Sequence, residues 1–505
     1  MMRPVSIFAA CLVAAIATGA AAQTPSPSPV PSTASGLSAT ETASLDAIGA
    51  ASVAGRGAPG VTIEIERDGA IVYAKGFGFA NVEDAVPATP DTRYPIGSNT
   101  KQFTAASILL LQDEGKLSVD APLATYLPEI PHAREVTVRE LLTHAGGYAE
   151  FTAAPDFDEL GNRPSTPAGV VGTVVGKPLA FKPGTKREYS NTGFELLLMV
   201  IERVSGMSYH DFLARNIFGP LGMTGTYVRD SDDTMPLVAT EYASYALGPW
   251  EHALHIDYTW LGGAGSIVSS ASDLLKWNAA LDGGKLLSKK SLHEMMTPAK
   301  IPGPAFADYG FGIETTTLPN GRRVILHGGN TTGAATQDAR FPDDGLEIVV
   351  LANSGTYDYT GAVNALYAVL AKPSPVASPA PSAAAKPPHP AAAPKPKETP
   401  ASVVRAERWL DDAIAGKIVF SRLRPVMRAN LTHEHVAALR ALAALGPRTY
   451  TLAGIDRRPP STGYEFLLDT PKAHLIYYFS VDDSGLVAQI AVIERTVFTP
   501  PAAHS

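Results

Sequence analysis

The chain has 505 residues, 45% of them apolar and 18% charged, a composition that can bury a large core over a length that calls for more than one domain. Its 41 basic and 49 acidic residues leave a formal charge of −8, which excludes the basic footprint of a nucleic-acid binder. Cys11 is the only cysteine, so no disulfide framework, thiolate zinc site or cysteine nucleophile can be built and the chemistry falls to oxygen and nitrogen groups.

At the start, Arg3 precedes a small-residue apolar run that ends in Ala20-Ala21-Ala22. This is the pattern of a secretory signal peptide spanning residues 1–22, followed by a flexible segment over 23–39. No later hydrophobic run approaches the roughly 20 residues that cross a bilayer, so the expectation is a periplasmic or secreted protein with no membrane span after cleavage. Lys372 to Pro400 holds 10 prolines in 29 residues and no aromatic, an extended spacer rather than a packed segment. It separates a large domain, 40–371, from a small one, 401–498.

In the large domain ETASLDAIGAASVAG reads as a helix, and VTIEIERDGAIVYAKGFGFAN alternates apolar and polar residues on either side of Asp68-Gly69, a hairpin signal. SNTKQFTAASILLLQDEG opens on Ser98, a good capping residue, is apolar on almost every face and stops at Gly115; it predicts a buried helix. YGFGIETTTLPNGRRVILHGG and TQDARFPDDGLEIVVLANS repeat the strand, turn, strand pattern before a closing helix from about Thr360 to Leu370. Strands at both ends with helices between them predict an α+β fold whose sheet unites the two termini. In the small domain, helices at 403–414 and 433–447 precede four strand-like runs beginning at Thr449, Gly463, Ala473 and Gly485, which predicts a second α+β unit with a helix-packed antiparallel sheet.

Ser98 and Lys101 stand three apart at a helix start, hence on one face. A serine hydroxyl is a poor nucleophile until a neighbour accepts its proton, and a lysine can do so only as the free amine that burial favours. The helix N-terminus adds oriented backbone donors beside the hydroxyl. Ser-x-x-Lys alone is a common tetrapeptide; Tyr189-Ser190-Asn191 and His327-Gly328-Gly329, each at a predicted turn or strand edge, strengthen it.

With these motifs the chain resembles the serine β-lactamase-related hydrolases, which include class C β-lactamases, class C-type D,D-peptidases, D-aminopeptidases and family VIII esterases. The resemblance covers most of residues 45 to 370 and rests on YPIGSNTKQFTAASILLLQDEGKLSVDAPLATYLP, VTVRELLTHAGGY, PGTKREYSNTGFELLLMVIERVSG, IFGPLGMTGT, GGAGSIVSSASDLLKW and ILHGGNTTG, in that order. It implies a β-lactamase/transpeptidase-like antiparallel sheet flanked by helices with a helical subdomain. It also implies Ser98 as the acylated nucleophile, Lys101 as its proton partner and Tyr189 as the other half of an acid/base pair whose true base is contested. Asn191, His327, Gly329 and Asn330 would bind substrate, with the backbone N–H groups of Ser98 and Asn330 as an oxyanion hole. No cofactor and no metal are implied.

His327 departs from the lysine usual in the β-lactamases, because histidine with an ordinary pKa near 6.5 is mostly neutral at pH 7. That shifts the expected substrate toward a small-molecule ester, an amide or a D-amino-acid peptide of peptidoglycan type, with a β-lactam as the alternative. A non-catalytic cell-wall-binding or sensing protein on the same scaffold is a further alternative. His144 reads as a hydrogen-bonded structural residue, Asp158 to Asn162 as a loop or helix start, and His252 with His255 as loop residues rather than ligands. Tyr148, Trp250, Tyr258 and Trp260 serve equally as pocket wall or packing. His433-Glu434-His435 reads as a solvated helix start.

Overall fold

The computed structural model describes residues 36–54, 57–154, 157–229, 235–244, 249–301, 308–372, 401–424, 427–428, 431, 433–458, 461–482 and 484–494. The expected signal segment and nearly all of the proline-rich spacer lie outside the described residues.

The first helix, α1 (Ala39–Val53), starts where Ser38 accepts from Glu41 N and Glu41 reaches back to Ser38 N, two orphan donors satisfied by one capping box. Next come β1 (Gly60–Arg67) and β2 (Ala70–Asn81). The turn between them holds Asp68 at φ 51° and Gly69 at φ 84°, the left-handed pair that the Asp-Gly signal predicts. The short β3 (Val86–Pro87) edges this hairpin. Far along the chain β4 (Glu314–Thr317), β5 (Arg323–Asn330), β6 (Ala335–Phe341) and β7 (Leu346–Ala352) form an antiparallel meander.

The two halves close into one seven-stranded sheet of order β3-β2-β1-β7-β6-β5-β4. The junction is β1 against β7, with Ile63 opposite Val350 and Ile65 opposite Ile348. The α+β expectation and the meeting of both ends in one sheet are borne out. On one face α1 packs with the closing helix α4 (Tyr359–Leu370) in a cluster that includes Leu45, Ile48, Ile348 and Leu366. On the other lies a second cluster built on α2 (Thr100–Asp113) and α3 (Asn191–Ser205), within the helical segment that the chain inserts between the sheet's halves.

In the small unit, α5 (Ala401–Ile414) and α6 (His433–Ala441) accompany β8 (Thr449–Arg458), β9 (Ser461–Asp469), β10 (His474–Asp482) and β11 (Val487–Glu494), paired in chain order as an antiparallel sheet. Its own apolar cluster runs from Val403 to Val492, and Tyr477 Oη donates to Ala406 O at 2.9 Å. His435 differs from its reading as a solvated residue. It is buried, and Nε2 lies 2.9 and 3.1 Å from the two carboxylate oxygens of Glu251, because the helix start faces the short strand Trp250–His252 rather than water.

Asn353, just past β7, ties the sheet's central seam. Its Oδ1 accepts from Gly60 N at 2.7 Å and its Nδ2 donates to Phe79 O at 3.1 Å, with no exposure to solvent. Replacing it by alanine strands the buried Gly60 N–H, at a cost of about 1–3 kcal/mol where water cannot enter, and removes a donor from the part-buried Phe79 carbonyl. Urea denaturation of Asn353→Ala is expected to show at least that loss.

Candidate active site

The site forms where α2 meets the end of β5. Ile96 N donates to Ile267 O at 2.9 Å, anchoring the chain before a tight turn over Gly97–Asn99. Asn99 Nδ2 reaches Thr336 Oγ1 at 3.0 Å, which in turn donates to Ile96 O at 3.1 Å. Ser98 therefore sits in the turn that precedes α2 and does not cap the helix; Asn99 precedes Thr100 without a side-chain cap. The serine hydroxyl stays available, and Lys101, one turn on, is wholly buried beside it.

Two glycines bring the sheet to this turn. Gly97 has φ +50°, and a Cβ on Gly329 would lie 1.9 Å from Ile96 O. No side chain fits there. The end of β5 thus lies against the backbone just before Ser98, placing Asn330 next to Gly97, while Asn330 Nδ2 donates to Gly355 O at 2.9 Å.

Lys101 Nζ has three oxygen neighbours: Asn191 Oδ1 at 2.8 Å, Ala264 O at 2.8 Å and Ser98 Oγ at 3.0 Å. The first two only accept. An ammonium can donate to all three, and a free amine can give its two N–H groups to the first two and keep a lone pair for the serine proton. Burial pushes the amine down to about 7, against the opposing pull of Glu150 and Glu195. Tyr189 also hydrogen-bonds Ser98, and loss of water around its hydroxyl holds it well above the ordinary range.

The amide of Asn191 is oriented by Glu150, which sequence reasoning did not single out. Its carboxylate accepts from Asn191 N at 2.6 Å and from Asn191 Nδ2 at 3.1 Å. This leaves Oδ1 facing the lysine, and it sets a negative charge at the N-terminus of α3, where the helix dipole favours it. The available signal was a carboxylate two residues after Tyr148 in an otherwise apolar and glycine-rich stretch.

His327 is buried, with Nδ1 2.6 Å from Gly328 O and Nε2 3.0 Å from Tyr309 Oη. A carbonyl can only accept, so Nδ1 carries the proton and Nε2 accepts from the tyrosine. Burial, with Lys101 nearby, presses the ring down to about 3. The position where β-lactamases place lysine offers no cation. Tyr309, also missed by sequence reasoning, links this imidazole to His144, whose ring lies 4.7 Å from it and 4.4 Å from Tyr189. His144 Nδ1 accepts from Ser190 N at 3.1 Å, the structural role expected of it.

Tyr148, Tyr258 and Trp260 are buried and bond Pro131 O, Glu241 and Arg163 O through their polar ends. They pack the domain; Trp250 is half-buried on its short strand. His252 pairs with Glu83 at 3.2 Å. Among the described residues no group of three or more His, Cys, Asp or Glu could hold a metal ion, and no helix is long and apolar enough to cross a membrane.

Fold and site together have the form of a serine hydrolase. The Beta-lactamase family profile matches residues 45–372, and the chain belongs to that family. It is 30% identical over 305 residues to penicillin-binding protein 4* of Bacillus subtilis, covering 58% of this chain and 67% of that relative. It is 27% identical over 321 residues to a D-aminopeptidase of Gluconobacter oxydans, covering 62% of this chain and 59% of that one. Among solved structures, a D-amino acid amidase from Ochrobactrum anthropi complexed with L-phenylalanine amide superposes with a TM-score of 0.59 at 26% identity, over 66% of this chain and 98% of the other.

Two outcomes follow from this geometry. The rate at which an excess of fluorophosphonate labels Ser98 is expected to fall tenfold per pH unit below about 7, as Lys101 takes up a proton, and to level off above. Gly329→Ala should slow that labelling by about 100-fold through loss of backbone alignment, with the far-ultraviolet spectrum unchanged.

Proposed function

We propose that the protein is an exported serine hydrolase that works through a Ser98 acyl-enzyme on D-amino-acid amides and peptides or related esters. The observation that carries this reading is the buried Lys101 amine, whose two N–H groups face fixed acceptors while its third neighbour is Ser98 Oγ. Lys101, driven toward the free amine by burial, takes the serine proton as Oγ attacks the acyl carbon. Tyr189, which resists ionisation, relays that proton: it gives its own to the departing nitrogen or oxygen as the bond to it breaks and is reprotonated by Lys101. Water then attacks the acyl-enzyme and gives up a proton to the same pair, which returns one to Ser98 Oγ as the ester bond breaks and the acid leaves.

The backbone N–H groups of Ser98 and Asn330 would hold the oxyanion, each worth roughly 100–1000-fold in rate. Asn191, turned by Glu150, and the edge offered by Gly329 would position the acyl side. His327, neutral and bonded to Tyr309, gives a substrate carboxylate no counter-charge. This favours amides and esters over β-lactams, in line with the D-aminopeptidase and amidase relatives. Export rests on Arg3 and the apolar run ending at Ala22.

Intact-protein mass and turnover decide the matter. Residues 23–505 and the Ser98→Ala variant are mixed in turn with D-phenylalanine nitroanilide, a short-chain nitrophenyl ester and a penicillin. Turnover of the first two that vanishes in the variant is expected, with chelators leaving the rate unchanged. Rapid penicillin turnover would instead make the protein a β-lactamase; inertness to all three reagents would defeat the acyl-enzyme reading.

A further inference from the structure

Glu195 takes no part in the roles above, yet it stands unexposed in the apolar interior of α3, between Phe194 and Leu196. Its Oε1 accepts from Ala264 N at 3.4 Å, and its Oε2 has no hydrogen-bond partner. Ala264 is the residue whose carbonyl takes a hydrogen bond from Lys101 Nζ at 2.8 Å. Carboxyl and amine thus bind the two polar groups of one residue. Gly262 makes the approach possible, since a Cβ there would lie 2.3 Å from Glu195 Oε2.

An isolated carboxylate oxygen in such a place is costly, whereas the protonated acid is not. Burial pushes Glu195 up to about 8 and Lys101 down to about 7, and each group's charge opposes the other's shift. Glu150 also acts on both, Tyr209 feels Glu195, and His144 and His327 feel Lys101. Two attracting groups with overlapping ranges pass between amine plus acid and ammonium plus carboxylate at constant net charge, and they titrate as a pair.

We propose that Glu195 is a positioning residue for Lys101, a buried second proton holder behind the Gly262–Gly265 turn that sets the pH at which the lysine becomes a free amine. The proposal rests on the reading that Lys101 receives the Ser98 proton. Ionised Glu195 holds Lys101 as ammonium; protonated Glu195 lets it go neutral.

Glu195→Gln keeps the shape and the acceptor for Ala264 N but removes the charge. The acidic limb of its kcat/KM profile is expected to move to lower pH by about half a unit to one unit, a ~3- to 10-fold gain relative to plateau on that limb. Coincident limbs would overturn the proposal. An infrared titration needs neither activity nor a folded Glu195 variant. The band of the buried protonated carboxyl is expected to persist to higher pH in Lys101→Met than in the wild type, because the attraction favouring the carboxylate is gone. Identical titrations would overturn the proposal, even if wild-type turnover upholds the acyl-enzyme. Absent turnover would defeat that reading and leave the infrared comparison to decide the coupling.

Discussion

A primary amine sealed from water governs the architecture of this protein's site. Lys101 has no solvent exposure and no carboxylate in direct contact; its neighbours are an amide oxygen, a backbone carbonyl and a serine hydroxyl. Each must be held in place by something else, since an amine left with fewer partners would pay the desolvation cost without relief. Glu150 turns the Asn191 amide, the Gly262–Gly265 turn presents the Ala264 carbonyl, and the tight turn over Gly97–Asn99 aims Ser98. Three distant stretches of chain converge on one nitrogen.

The sheet supplies the rigidity that this convergence needs. By pairing β1 with β7 the fold joins its two ends, and β5 and β6, neighbours in that sheet, carry the His327-Gly328-Gly329 edge and Thr336 to the Ser98 turn. Thr336 bonds both Asn99 and Ile96, so the sheet and the start of α2 are bolted together on either side of Ser98. Such anchoring is what holds a reactive group to the fraction of an ångström that acyl transfer demands.

Electrostatically the edge of β5 is neutral at His327. His327 is locked as one tautomer between Gly328 O and Tyr309, and Lys101 is pressed toward its free amine. Glu195, buried one turn into α3, and Glu150, half-buried against the start of that helix, flank the lysine. In a medium of low dielectric the protonation of Glu195 matters more than any surface charge.

Much of this was legible along the chain, because strand alternation, the Asp68-Gly69 turn and the apolar face of α2 are local patterns with local causes. Ser98, Lys101, Tyr189 and the His327 segment could be named for the same reason: chemistry of this kind needs fixed residue types at short spacings, and the surrounding motifs repeat a family order. Glu150, Glu195 and Tyr309 could not be assigned, since each acts through a partner far away in sequence, and a glutamate in FELLLMVI reads as an interruption of an apolar helix until Ala264 is seen beside it. Nor could sequence show that Ser98 leaves its helix uncapped, that three of the loop aromatics are buried with their polar ends bonded, or that His435 meets Glu251. The amino-acid order determined the elements and the reactive groups; burial and long-range contact, which only the folded chain possesses, decided their protonation and their partners.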